Sequence, residues 1–158
     1  TPMKHGKLIE QLIDQEDRLK FATFNHDRAI EVGMAIYRTA KEQHLAVTID
    51  VSAFDQTIFH VAMPGTAPDN DRWIDRKRAV VHRLQKSSYR VGRELDAEGL
   101  SIEERYFVSG MEFSPHGGCF PVRLKESTGV IGTITVSGLT QDQDHQLVVS
   151  VLEQLLRE

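Results

Sequence analysis

Ala46-Val47-Thr48-Ile49-Asp50-Val51-Ser52 alternates without interruption. Val47, Ile49 and Val51 fall on one side of an extended chain, Thr48 and Asp50 on the other, which is the period of a half-buried strand. Residues 53–56 read as a turn and residues 57–63 as a returning strand. Two strands joined by so short a turn run antiparallel. Such a sheet needs a cover on its apolar face, and the flanking sequence supplies helices for it.

Upstream, Leu8, Ile9, Leu12 and Ile13 predict an amphipathic helix over about residues 4–17. Asn25 can cap a second helix reaching about residue 44, with Ile30, Gly33, Tyr37 and Ala40 on its inner face. Glycine costs a helix interior about 1 kcal/mol against alanine, so Gly33 implies a close neighbour. Downstream, residues 64–68 form a Pro/Gly loop, and Asp69, Asn70 and Asp71 are cap candidates for a long basic helix to about residue 91. A capped turn at Ser101-Ile102-Glu103-Glu104 is followed by weakly strand-like residues 107–113. Residues 119–124 and 130–137 predict a hairpin, with Pro121 placing its first arm at a sheet edge or bulge. Thr140 and Gln143 form a capping box for a last helix that buries Leu147, Val148, Val151, Leu152 and Leu155. The order α-α-β-β-α-β-β-β-α describes an α+β fold in α/β/α layers, one domain over residues 1–158.

The chain's 158 residues suit one domain, and its 40% apolar and 27% charged content is that of a globular protein. The lone Cys119 excludes an internal disulfide and a cysteine-rich zinc module. No apolar run approaches a membrane span, and residues 1–7 have no apolar core like that of a signal peptide. A cytoplasmic setting with no membrane partner is the expectation. The net charge of −4 is uneven: residues 69–93 carry eight Lys/Arg against three Asp, +5, which leaves −9 elsewhere. A basic segment in an acidic chain points to an anion site or an acidic partner surface, not to a nucleic-acid binder.

At helical spacing Arg72, Arg76, Arg83, Lys86 and Arg90 form one stripe, with Trp73, Ile74, Val80, Val81, Leu84 and Val91 opposite. Asn70, Lys77 and Ser88 share the apolar meridian. A lysine there must be neutralised, paired or led out to solvent. Either its head snorkels to water, or it points into a pocket between helix and sheet that holds a small anion. The stripe itself reads as a solvated face or an oligomer contact.

His116-Gly117-Gly118-Cys119 lies between two predicted strands. Paired glycines form a tight turn, or let backbone amides approach an anion. His116 is a candidate metal ligand, general base or surface histidine, whereas Cys119 reads as a small buried residue. Asp142 and Asp144 stand in the first turn of the last helix, where its dipole favours negative charge. The adjacent His145 is expected to be a neutral imidazole, a candidate base oriented by Asp144, or a metal ligand.

His116-Gly-Gly-Cys-Phe-Pro-Val122, then Gly129-Val-Ile-Gly-Thr-Ile-Thr-Val-Ser-Gly138, then Asp144 resembles the GlcG/HbpS-like domain, a haem-degrading or haem-binding domain. The match to that core spans about residues 113–152. Asp69-Asn70-Asp71, Trp73-Ile74, Arg76-Lys77 and Ser87-Ser88 are similar to a narrower single-domain branch shared by bacteria and fungi. The resemblance implies a profilin-like fold, with a five-stranded antiparallel sheet between helices, and homo-oligomers. It also implies haem or a corrinoid as a cofactor to test, with His116 or His145 as ligand. The expected ligand-binding residues are Asn70, Trp73, Arg76, Lys77, Ser88, His116, Gly117 and Gly118, and the catalytic candidates are His145 and Asp144. Three functions follow: an oligomeric binder of a small anionic molecule, an enzyme of modest acid/base chemistry through Asp144 and His145, or a ligand-free assembly protein.

Overall fold

A computed structural model describes residues 2–127 and 129–157. Helices α1 (Pro2–Arg18) and α2 (His26–Glu42) precede strands β1 (Thr48–Ala53) and β2 (Gln56–Ala62). Helices α3 (Pro68–Leu84), α4 (Ser88–Glu98) and α5 (Ile102–Tyr106) lead to β3 (Cys119–Val122), β4 (Gly132–Ser137) and α6 (Gln141–Leu155). The sheet runs β2-β1-β4-β3, every neighbour antiparallel. Pro121 sits in the edge strand β3, where its missing N–H leaves no gap in the ladder.

One sheet face carries Val47, Ile49, Val51, Phe120, Val122, Ile134 and Val136, and α2 and α6 cover it. Each Val, Ile or Phe buried there contributes about 1.5–3 kcal/mol relative to exposure. The other face is not solvated. Thr48, Asp50, Ser52, Thr133 and Thr135 are all buried, because α3 packs across β1, β4 and β3. The half-buried reading of β1 is therefore corrected: both faces are closed, one by apolar and one by polar contacts.

Four further expectations change. The described residues form four strands rather than five. Residues 107–113 make a loop whose Phe107 and Met111 are exposed, and beyond β3 only a single bridge, Phe21 to Leu124, extends the sheet. The inner face of α2 is Ala29, Val32, Gly33, Ile36 and Ala40, so Ile30 is exposed and Tyr37 half-buried. Gly33 lies on that face against the Phe59 ring, which occupies the place of a β-carbon.

The long basic helix is two helices. Gln85 adopts a left-handed conformation (φ 61°), and Ser87 caps α4 by accepting from the Arg90 N–H at 3.2 Å. Ser87 also donates its own N–H to the buried Glu16 of α1, at 3.3 Å. A cap and a buried acceptor at one point stop a helix whose side-chain period alone would continue. The basic stripe is divided accordingly: Lys86 and Arg90 pair with Glu94, and Arg90 with Glu16, while Arg72 and Arg83 stay exposed.

Candidate functional site

The polar face of the sheet and the start of α6 create a cleft of about 280 Å³ beside α3. Asn70, Trp73, Lys77, His116 and Asp144 line it, with Ser137, Gly138, Leu139 and Gln141. Lys77 does not snorkel. It is 3% exposed and donates to Asp144 Oδ2 and to the Val136 carbonyl, both at 3.1 Å. An ammonium has three donors, so one remains for a ligand in the cleft. Asp144 also accepts from the Leu139 N–H at 2.9 Å and the Gly138 N–H at 3.4 Å. Burial pushes the Lys77 pKa down and the Asp144 pKa up, and the attraction between them opposes both shifts.

Gly118 makes this pair possible. Its φ of +141° suits glycine, and a β-carbon there would stand 2.6 Å from Lys77 Nζ. Gly117 donates its N–H to Gln141 Oε1 at 3.2 Å, so this amide is engaged within the protein. Above Lys77, Trp73 and His116 stack with ring centroids 5.3 Å apart, and the Arg76 guanidinium lies 4.1 Å over Trp73. Partial burial, together with the charges of Lys77, Arg76 and Arg93, lowers the His116 pKa and keeps the ring neutral at neutral pH.

Three expected residues lie elsewhere, and of these Arg76 lines a neighbouring cleft instead of this one. Ser88 is buried at the start of α4 and exchanges hydrogen bonds with the Cys119 backbone, tying α4 to β3. His145 is close to Asp144 in sequence but not in direction: its Nε2 is 2.8 Å from Gln15 Oε1 of α1, and its ring packs on Tyr89 and Phe120. Burial pushes its pKa down to about 4. Asp144 is engaged by Lys77, so the structure does not assemble an Asp144–His145 acid/base pair. Cys119 is fully buried, and burial pushes its thiol up to about 12, which removes it as a nucleophile near neutral pH.

The sequence reading missed Ser137, Leu139 and Gln141 of the cleft. It also missed a second polar cluster, between the first turn of α3 and the β1–β2 strands. His60 bridges Asp50 (2.9 Å) and Asp71 (2.7 Å), and Ser52 donates to Asp50 at 2.6 Å. An acid on the polar side of β1 was visible in sequence, but its partners come from β2 and α3.

A family model for the haem degrading protein HbpS-like family matches residues 24–153. The chain belongs to this family. It is 43% identical to a UPF0303 protein of Streptomyces coelicolor, over 95% of this chain and 94% of that protein. It is likewise 43% identical to a UPF0303 protein of Serratia proteamaculans, over 94% and 91%. The crystal structure of the Ybr137w protein superimposes with a TM-score of 0.87 at 32% identity, covering 93% of this chain and 87% of that one. A complex of PduOC with haem shares the fold at a TM-score of 0.66 and 13% identity, over 84% and 94% of the two chains. Among the described residues no helix is long and apolar enough to cross a membrane.

Proposed function

We propose that this HbpS-like chain binds a planar, anionic small molecule in the α3–α6 cleft, with a tetrapyrrole such as haem as the first ligand to test. The Arg76–Trp73–His116 stack above a buried lysine carries this reading. The cleft offers an ammonium for an acid group and a neutral imidazole at its rim, and the Arg76 guanidinium on Trp73 lines the adjoining cleft. These are the groups that a haem with its two carboxylates would need, and iron chemistry would be supplied by the haem itself. The family description and the haem complex of a protein with this fold support the choice. Homo-oligomerisation through the exposed Arg72 and Arg83, and a cytoplasmic setting, belong to the same proposal.

Titrating the protein with haemin while recording the visible spectrum tests it. A saturable shift is expected, lost in His116→Ala and kept in His145→Ala, because His145 faces Gln15. No shift, or one indifferent to His116, would overturn the assignment.

A further inference from the structure

A second cleft, of about 440 Å³, opens on the far side of the Trp73–His116 stack, between α4, the start of α5 and the loop before β3. Its volume lies within the roughly 300–1,000 Å³ of small-molecule sites. Its walls are of two kinds. Leu95, Ile102 and Phe113 make one side apolar. Arg76, Arg93 and Ser114 line the other.

The polar side is incompletely satisfied. Ser114 is 3% exposed, and its Oγ has no hydrogen-bond partner among the described residues. Arg93 forms an ion pair with Asp96 through one nitrogen at 3.0 Å, yet its buried Nε has no acceptor among the described residues. Buried polar atoms are nearly always paired, and each orphan costs about 1–3 kcal/mol. Both orphans belong to residues in the wall of one cleft and lie just beneath its surface, where the described residues supply no acceptor. Arg76 adds a guanidinium that rests on Trp73 and makes no ion pair among the described residues.

We infer that this second cleft is a binding site for an apolar monocarboxylic acid, with the carboxylate received by Arg93, Arg76 and Ser114 and the hydrocarbon by Leu95, Ile102 and Phe113. Charge selects one negative group rather than several. Asp96 pairs with Arg93, and Glu103 matches Arg76 in charge without pairing to it, so Arg76 is the one lining cation free of an ion pair among the described residues and the cleft has room for a single negative group at most. A phosphate dianion would meet too little positive charge and too much apolar wall. The second cleft shares Arg76, Trp73 and His116 with the tetrapyrrole reading but needs neither the first cleft nor Lys77.

Trp73, the single tryptophan, borders both clefts and serves as the reporter. Its emission is followed, with excitation at the red edge of the indole band, while 3-phenylpropanoate, 3-phenylpropanamide or inorganic phosphate is added to the intact chain. The acid is expected to give a saturable change, with the amide about tenfold weaker or more and phosphate without effect. Arg93→Gln is expected to weaken the acid by about tenfold. Ser114→Ala is expected to weaken it several-fold while leaving the melting temperature unchanged or raised, because it removes an orphan rather than a bond. Equal binding of acid and amide, equal binding of phosphate, no saturable change, or an unaltered affinity in Arg93→Gln would each overturn the site. Acid binding without any haemin response would leave this inference standing and count only against the tetrapyrrole.

Discussion

On one face of the sheet Val47, Ile49, Val51, Ile134 and Val136 meet α2 and α6; on the other, Thr48, Asp50, Ser52, Thr133 and Thr135 lie under α3. The apolar face is held by area. It requires only hydrophobic side chains of the right volume, and it stabilises regardless of which partner each one meets. The polar face is held by specific bonds: Lys77 to Asp144 and Val136, Asn70 to Ser137, Arg78 to Thr133, and Asp50 to His60 and Ser52. Even so, Thr48 and Thr135 hydroxyls have no partner among the described residues. Burying polar groups in this way gives less stability than burying valines would. Mutation and pH separate the contributions of the two faces.

The largest effect is expected from Lys77→Ala. It strands the Asp144 carboxylate in the interior, and denaturant unfolding should show a loss of about 3–5 kcal/mol. Lys77→Met combined with Asp144→Leu should recover most of that loss while abolishing ligand binding in the first cleft. A double variant as unstable as the single would mean that the polar face carries stability after all. Ile49→Ala, on the apolar face of the same strand, should cost about 2–5 kcal/mol with no effect on ligand affinity beyond the population unfolded.

The two faces should respond to pH in opposite directions. His145 lies beside Phe120, and its folded pKa of about 4 is below the ordinary 6.5. Between those values the unfolded chain holds a proton that the folded chain refuses. Stability is therefore complete above the ordinary value and falls as pH drops toward 4, by a total on the order of 3 kcal/mol. His145→Gln should flatten the acid limb of the melting curve.

His60 lies at the polar face. Partial burial alone would lower its pKa, but hydrogen bonds and charge from Asp50 and Asp71 outweigh it and raise the pKa above 6.5. The folded state then holds the extra proton, so this contribution is complete below 6.5 and is lost as pH rises through the folded value. Because His60 is 37% exposed, solvent screening keeps the effect to roughly 1 kcal/mol or less. NMR titration of the His60 ring should show the raised value, and Asp71→Asn should bring it down. A ring titrating below 6.5 would show that the bridge does not form.

Much of the scaffold was legible because it depends on local rules. The alternation around Ile49, the Asn25 cap and the Ser101–Glu104 capping box recur in the structure, and of the Thr140–Gln143 box the bond from the Thr140 N–H to Gln143 Oε1 is formed. The close packing at Gly33 recurs too. Lys77 stood out as a charge on an apolar meridian, and it is the buried cation at the cleft floor. The helix break at Gln85 was not legible, because its acceptor, Glu16, lies 71 residues away from Ser87 in the chain. Nor was the side chain of His145, which turns toward α1 rather than toward its neighbour Asp144.

By itself the sequence determined which side of most elements is apolar, where most of the helices begin, and that one lysine lies on an apolar meridian and must be paired or led out to water. These follow from periodicity, capping chemistry and the cost of burying charge, all of which act within a few residues. Only the tertiary structure decided that the second face of the sheet is covered, that Asp144 is the partner of Lys77, and that Trp73 and His116 stack between two clefts. Those outcomes depend on which distant surfaces meet, and the side chains involved, 43 residues apart for the stack and 67 for the ion pair, carry no local signal of one another.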